Sequence, residues 1–232
     1  MPNAIIFGII MPNTPLPEWE MLLSSAAHLQ SIIPEAVLVG GTAVASFAHH
    51  RISLDHDHTL GDLKMRFDEI LETLELVAGW KTARVKRPVL ILGSLDGIET
   101  GVRQLIREAP LETETIEIGN AKLTVPTKSE MLRIKAVLIV KRNATRDYLD
   151  FVAMSELIGI EDAIKALGNF DELYPQANGQ SAKQQLQIQL SNPLPYDLEE
   201  TNLREYKKLK AEYQDWNVVA EKCRKIANLL WS

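Results

Sequence analysis

Residues 51–58 read RISLDHDH, two aspartates one residue apart with histidines threaded between them. His49 and His50 lie just upstream, so four of the chain's five histidines fall within ten residues. Two metal chemistries compete for this stretch, and the alternation of an extended strand separates them. Ser53, Asp55 and Asp57 share one face, while Leu54, His56 and His58 share the other. Two carboxylates on one face suit a hard cation such as Mg²⁺ or Mn²⁺, which takes oxygen ligands and completes its shell with water and substrate phosphate. A zinc site would need His49, His50, His56 and His58 to converge from two elements, which the alternation does not arrange. The histidines read as surface groups, or as groups behind the ligands.

Some fifteen residues before the aspartates stands Gly40-Gly41-Thr42. A strand that ends in two glycines and enters a helix suits a phosphate. The glycines permit close backbone approach, and the helix N-terminus offers unpaired N–H groups and partial positive charge. A tight packing turn would use the same residues. A phosphate cradle one short helix away from a carboxylate pair can hold a metal–nucleoside triphosphate for attack at its α-phosphate.

The elements that must position these groups follow from periodicity. Residues 17–32 carry apolar side chains at helical spacing, with Thr14 and Pro17 as start signals and Pro34 as a stop. Residues 36–39 read as a strand, 42–49 as a small-residue helix and 52–60 as a second strand. Residues 62–77 read as an amphipathic helix with Leu63, Phe67, Ile70, Leu71, Leu74 and Val77 on one face. Five β segments follow (WKTARV, PVLIL, ETGVRQLI, ETIEI and KLTVP), the last two joined at Gly119-Asn120. After Pro126 only helical patterns remain: SEMLRIKAVLIVKR, ATRDYLDFVAMSELI, EDAIKALG, AKQQLQIQL, LREYKKLKAEY and WNVVAEKCRKIANLLW. The expected fold class is α+β: a mixed sheet with flanking helices over residues 14–127, then a helical C-terminal domain over 128–232.

The chain has 232 residues, 46% hydrophobic and 24% charged, with net charge −6, which excludes a polycationic nucleic-acid binder. Its single cysteine, Cys223, excludes a disulfide framework and reads as a small buried residue of a helix. The apolar run in MPNAIIFGII lacks the basic flank of a signal peptide and falls short of a membrane span, so a cytoplasmic protein with no membrane partner is expected.

LVGGTAVASFAHHRISLDHD resembles the first motif of the DNA polymerase β-like nucleotidyltransferases, in particular the AbiEii-type family, whose members include toxins of toxin–antitoxin pairs. LRIKAVLIVKRNATRDYLDFVAM is similar to that family's second signature, here Lys135, Ala136, Arg142, Arg146, Asp147 and Asp150. The resemblance spans roughly residues 36–158. It implies transfer of NMP from an NTP to an acceptor such as tRNA or a protein, with an antitoxin as a further partner. It implies Mg²⁺ or Mn²⁺ on Asp55 and Asp57, and nucleotide contacts from Gly40, Gly41, Thr42, Ser53, Lys135, Arg142 and Arg146. Lys135 would neutralise triphosphate charge. Asp147 or Asp150 would complete the catalytic set, as a base or as a partner that holds a cation.

Simpler roles compete with these. Arg146 and Asp150 are spaced as an i,i+4 pair, and Asp147 is placed to cap its helix. Thr42 stands where many polymerase β-like enzymes carry serine. Many members also carry a third metal carboxylate on a later strand, but PVLIL has no acid, which leaves Asp96 or Glu99. A site with two carboxylates is compatible with a nucleotide-binding protein of impaired activity. The mixture of histidine and aspartate is compatible with a metal-dependent phosphohydrolase. Residues 81–107 hold six basic residues against two acids, and 128–146 hold six against one, which would gather charge near the site for a nucleic-acid end.

Overall fold

A computed structural model describes residues 16–119, 121–177 and 179–230 of the chain. The apolar N-terminal run, Thr14 and Asn120 lie outside the described residues.

The described chain begins with α1 (Leu16–Ile32), β1 (Val37–Val39), α2 (Gly40–Ala48), β2 (His56–Leu60) and α3 (Leu63–Glu75). Next come β3 (Trp80–Lys86), β4 (Leu90–Leu95), β5 (Ile98–Gln104) and the hairpin β6 (Thr113–Ile118) and β7 (Ala121–Pro126). The remainder is helical: α4 (Lys128–Arg142), α5 (Thr145–Ile158), α6 (Ile160–Ala166), α7 (Phe170–Leu173), α8 (Ala182–Ser191) and α9 (Trp216–Leu230). This is the expected mixed α/β arrangement with helices gathered at the C-terminal end.

The main sheet has the order β1-β2-β5-β4-β3. β2 and β5 run parallel, while the β1–β2, β4–β5 and β3–β4 pairs are antiparallel. One face is closed by α1 and α3. Leu29, Ile33, Phe67, Ile70 and Leu74 meet Leu60, Ile91 and Val102 there, which is what the apolar stripe on α3 requires. The second core joins Leu38, Leu123 and Val125 to α4, α5, α8 and α9, so apolar packing continues across residue 127. On α9 the residues Val219, Cys223, Ile226, Ala227 and Leu230 are buried at helical spacing, so the helix turns one apolar face inward.

Local signals explain the helix ends nearest the site. The Thr127 hydroxyl accepts from the backbone N–H of Glu130 and opens α4. Asn143, at φ 48, closes it in the left-handed region and turns the chain into α5.

Two expectations need correction. The strand expected over 52–60 begins at His56, so residues 52–55 approach it as irregular chain. LREYKKLKAEY is not an α-helix; it is a series of turns that ends in a 3₁₀ turn at Ala211–Tyr213. Lys207 and Lys208 have φ of 43° and 51°, which no right-handed helix contains. The backbone here makes short turn bonds, such as Leu209 N–H to the Tyr206 carbonyl, and pairs with a distant segment. Ile52 N–H donates to the Lys207 carbonyl at 2.9 Å, and Lys210 N–H donates to the His50 carbonyl at 2.8 Å. Helix propensity is a weak preference that such pairing overrides.

Candidate active site

The site is assembled where β1 turns into α2 beside β2. Val39 pairs with Asp57 across the sheet, and the chain enters α2 at Gly40 with φ 78. A methyl group on Gly40 would lie 3.5 Å from the Asp57 Cβ. One on Gly41 would fall 2.5 Å from a guanidinium nitrogen of Arg51 and 3.1 Å from the Ser53 hydroxyl. The two glycines therefore let α2 begin directly against Arg51, Ser53 and Asp57. Thr42 is turned inward and almost wholly buried, with its hydroxyl donating to the Asp55 carbonyl. It fixes the Asp55 backbone and does not line the cleft.

A cleft of about 360 Å³ opens at this junction. Gly40, Gly41, Ser53, Asp55 and Asp57 form one wall. Lys135, Arg142 and Arg146, from α4 and α5, form another. Arg51, Arg103, Tyr206 and Lys207 also reach it, and sequence reasoning assigned none of these. Arg51 stood in the quoted stretch, and Arg103 could have been found from strand parity with Gly101. Tyr206 and Lys207 lay in the segment expected to be helical.

Six cationic side chains and two carboxylates thus line the cleft. The Ser53 hydroxyl donates to Asp55 at 3.1 Å, and Lys207 Nζ is 3.8 Å from the same carboxylate. Arg103 lies 3.3 Å from Asp57. An excess of positive charge around two acids suits a polyphosphate that brings its own cation.

Asp147 and Asp150 sit behind this surface with no exposure. Asp150 takes Arg51 bidentately at 2.8 and 2.9 Å, Lys135 at 2.7 Å and His50 Nε2 at 2.7 Å. Burial acts to raise the Asp150 carboxyl, but Arg51, Lys135 and His50 together hold it well below the usual range. Asp147 takes Arg142 at 2.5 and 2.7 Å and lies 3.8 Å from Lys135. Both acids hold the cations that face the cleft. The i,i+4 pair of Arg146 with Asp150 does not form, and the start of α5 is capped not by Asp147 but by Asp197, whose carboxylate accepts from the Thr145 N–H at 2.7 Å. Burial lowers His50, so it is neutral near pH 7, and its Nε2–H donates to Asp150.

The remaining expected residues are placed elsewhere. His56 and His58 are on the opposite sheet face and fully buried, not at the surface. His56 bonds Ser25 and Thr100, each at 2.9 Å, and the His58 ring stands edge-on to it at 5.3 Å. Burial pushes His56 down to about 4 and His58 well below its ordinary value, so both stay neutral. Asp96, in the β4–β5 turn, lies 3.5 Å from His28. Neither Asp96 nor the exposed Glu99 lines the cleft. Among the described residues no group of three or more histidines, cysteines or acids is arranged to hold a metal. Asp55 and Asp57 still fit Mg²⁺ in donor type, because that ion is held by one or two carboxylates with substrate phosphate and water.

The basic windows divide as well. Arg103, Lys135, Arg142 and Arg146 line the cleft. Lys81, Arg84 and Lys86 are on β3, at the far edge of the sheet. Arg107 and Arg133 close on the buried Glu130.

An antigenic nucleotidyltransferase-like protein from Paracoccidioides brasiliensis superposes on this chain with a TM-score of 0.50 and 16% identity, covering 87% of this chain and 98% of that one. The chain has a nucleotidyltransferase-like fold. The structure of ANT(2″)-Ia in complex with adenylyl-2″-tobramycin covers 66% of the chain and 96% of its own at a TM-score of 0.48 and 13% identity. No protein-family model matches the chain. In sequence it is 37% identical over 95 residues to the heme uptake protein MmpL11 of Mycobacterium tuberculosis, or 40% of this chain and 10% of that protein. It is 31% identical over 124 residues to the mycolic acid-containing lipids exporter MmpL11 of Mycolicibacterium smegmatis, or 52% and 13%. The chain therefore spans roughly a tenth of the length of these curated relatives. No helix among the described residues of this nucleotidyltransferase-like fold is long and apolar enough to cross a membrane.

Proposed function

We propose that the chain is a metal-dependent nucleotidyltransferase that moves NMP from an NTP to an acceptor. The observation that carries this reading is the meeting of the Gly40-Gly41 turn, Asp55, Asp57 and Lys135 in one cleft. Gly40 and Gly41 bring the positive end of α2 against a phosphate. Asp55 and Asp57 would hold Mg²⁺ or Mn²⁺, which supplies charge neutralisation and alignment at the α-phosphate. Lys135 and Arg51 are immobilised by Asp150, and Arg142 by Asp147, so these cations are aimed before substrate arrives. Such preorganisation is the main means by which phosphoryl chemistry is accelerated. Asp147 and Asp150 are positioning residues in this scheme.

The AbiEii-type resemblance extends the proposal to a cytoplasmic toxin restrained by an antitoxin, with tRNA or a protein as acceptor and ATP among the candidate donors. A second reading, a nucleotide-binding protein of impaired activity, is favoured by one observation, the two-carboxylate site. A histidine-ligated phosphohydrolase has no support, because His56 and His58 face away from the cleft.

The test is incubation of the chain with each α-labelled NTP, Mg²⁺ and a cell extract, beside thermal-shift titration with Mg–NTP. Binding and label transfer that both disappear in Asp55→Asn with Asp57→Asn support the enzyme. Binding without transfer supports the second reading, and wild-type transfer by the double variant would sink the site assignment.

A further inference from the structure

Once a metal occupies Asp55 and Asp57, the cleft holds no obvious proton acceptor. No other carboxylate lines it among the described residues, and neither does an imidazole or a thiol. Asp147 and Asp150 have no exposure and are saturated by Arg142, Lys135, Arg51 and His50. Tyr174 and Tyr206 do reach the cleft, but burial raises both phenols, Tyr174 to about 12, so they remain protonated.

The neighbouring strand offers a cation instead of an acid. β5 lies beside β2, with Gly101 across from Asp57 and Arg103 across from Thr59. Leu92 fills the space in front of Gly101, where an added Cβ would come within 2.5 Å of its side chain. The next side chain on that face is Arg103, 46% exposed and 3.3 Å from Asp57. Its guanidinium is a two-pronged donor suited to phosphate oxygens.

A hydroxyl acceptor must lose its proton as it attacks, and this cleft lacks a group to take it. A phosphomonoester has its second ionisation near pH ~6, so its oxygen is already anionic at neutral pH. Resting on the nucleotidyltransferase reading above, we infer that the acceptor is a phosphomonoester, and that Arg103 binds its phosphate and selects it. An acceptor phosphate oxygen forms a bond to the α-phosphorus. The bond from that phosphorus to the oxygen bridging to the β-phosphate breaks, and its electron pair leaves with pyrophosphate. No proton is transferred, and the product contains a new P–O–P linkage.

The experiment uses the full chain, Mg²⁺, α-labelled NTPs and paired acceptors. One pair is a hexose 1-phosphate and the free hexose. The other is an oligonucleotide with a blocked 3′ end, carrying either a 5′-phosphate or a 5′-hydroxyl. An oligonucleotide with a free 3′-hydroxyl is added as a further arm. Label on phosphorylated members alone is expected, and the arm that reacts identifies a small-molecule or a nucleic-acid source. Label on a hydroxyl-only acceptor overturns the inference while leaving the nucleotidyltransferase reading intact. So does an absence of label on every phosphorylated acceptor when thermal shift shows Mg–NTP bound. Failure to bind Mg–NTP overturns both, and is recognised by that readout. Arg103→Ala is expected to raise the acceptor KM about tenfold and the KM for Mg–NTP by much less. An unchanged acceptor KM removes Arg103 from the assignment.

Discussion

The Asp150 carboxylate lies 2.7 Å from the Lys135 ammonium, with side-chain exposures of 0% and 3%. Arg51 binds the same carboxylate, so one anion from α5 anchors a cation from α4 and another from the chain just before Asp55. Asp150→Asn leaves two cations with no full counter-charge in a buried position. Breaking a buried pair in this way costs about 3–5 kcal/mol. Urea denaturation of Asp150→Asn should show a loss of that size, and a loss under about 1 kcal/mol would contradict the anchoring role.

Asp55 and Asp57 differ in being partly exposed, at 43% and 28%. Their weak pairs with Lys207 and Arg103 contribute little to folding. Asp55→Asn and Asp57→Asn should each keep stability within about 1 kcal/mol of the parent. Each should lower nucleotidyl transfer by on the order of 100-fold, because metal binding supplies several kcal/mol at the transition state. Melting curves and initial rates on the same preparations separate the two effects.

Gly41 tests the close approach of α2 to Arg51. Gly41→Ala places a methyl 2.5 Å from a guanidinium nitrogen that Asp150 holds in place, so it cannot withdraw freely. A destabilisation of about 1–3 kcal/mol is expected from such overpacking, together with weaker Mg–NTP binding. Gly61→Ala is the control, since nothing lies within 4 Å of a Cβ there. Equal stability of the two variants would remove the steric argument.

His56 makes stability depend on pH. Its folded value is about 4, chiefly through burial, with Asp55 opposing, against 6.5 for the free side chain. A depressed folded value means that its contribution is fully present above pH 6.5 and is lost as pH falls from there toward 4. The unfolded chain takes up the proton first in that window. The loss approaches ~3 kcal/mol for a shift of this size. Denaturation series at pH 7, 6 and 5 should show it, with a shallower slope in His56→Gln. Parallel slopes for the parent and the variant would assign the acid sensitivity to other groups.

Several parts of this structure were legible in the residues themselves. Period-two alternation separated Asp57 from His56 and His58 on β2, whereas Ser53 and Asp55 reach the same cleft from irregular chain that no strand rule governs. The stripe on α3 was equally plain, because a helix must bury its apolar face. LREYKKLKAEY was not legible. Its composition favours a helix, but its conformation is decided by backbone bonds to His50 and Ile52, more than 150 residues earlier.

The same boundary divides the site. Local spacing determined which carboxylates could share a metal and where a strand would turn on glycines into a helix. It could not show that Asp150 lies buried between Arg51 and Lys135, that Arg103 stands beside Asp57, or that Lys207 closes over Asp55. Those relationships join residues roughly 15 to 150 positions apart. Short-range periodicity acts over a few residues, whereas the packing of α4, α5 and the 50–52 segment against the sheet decides which charges meet out of water.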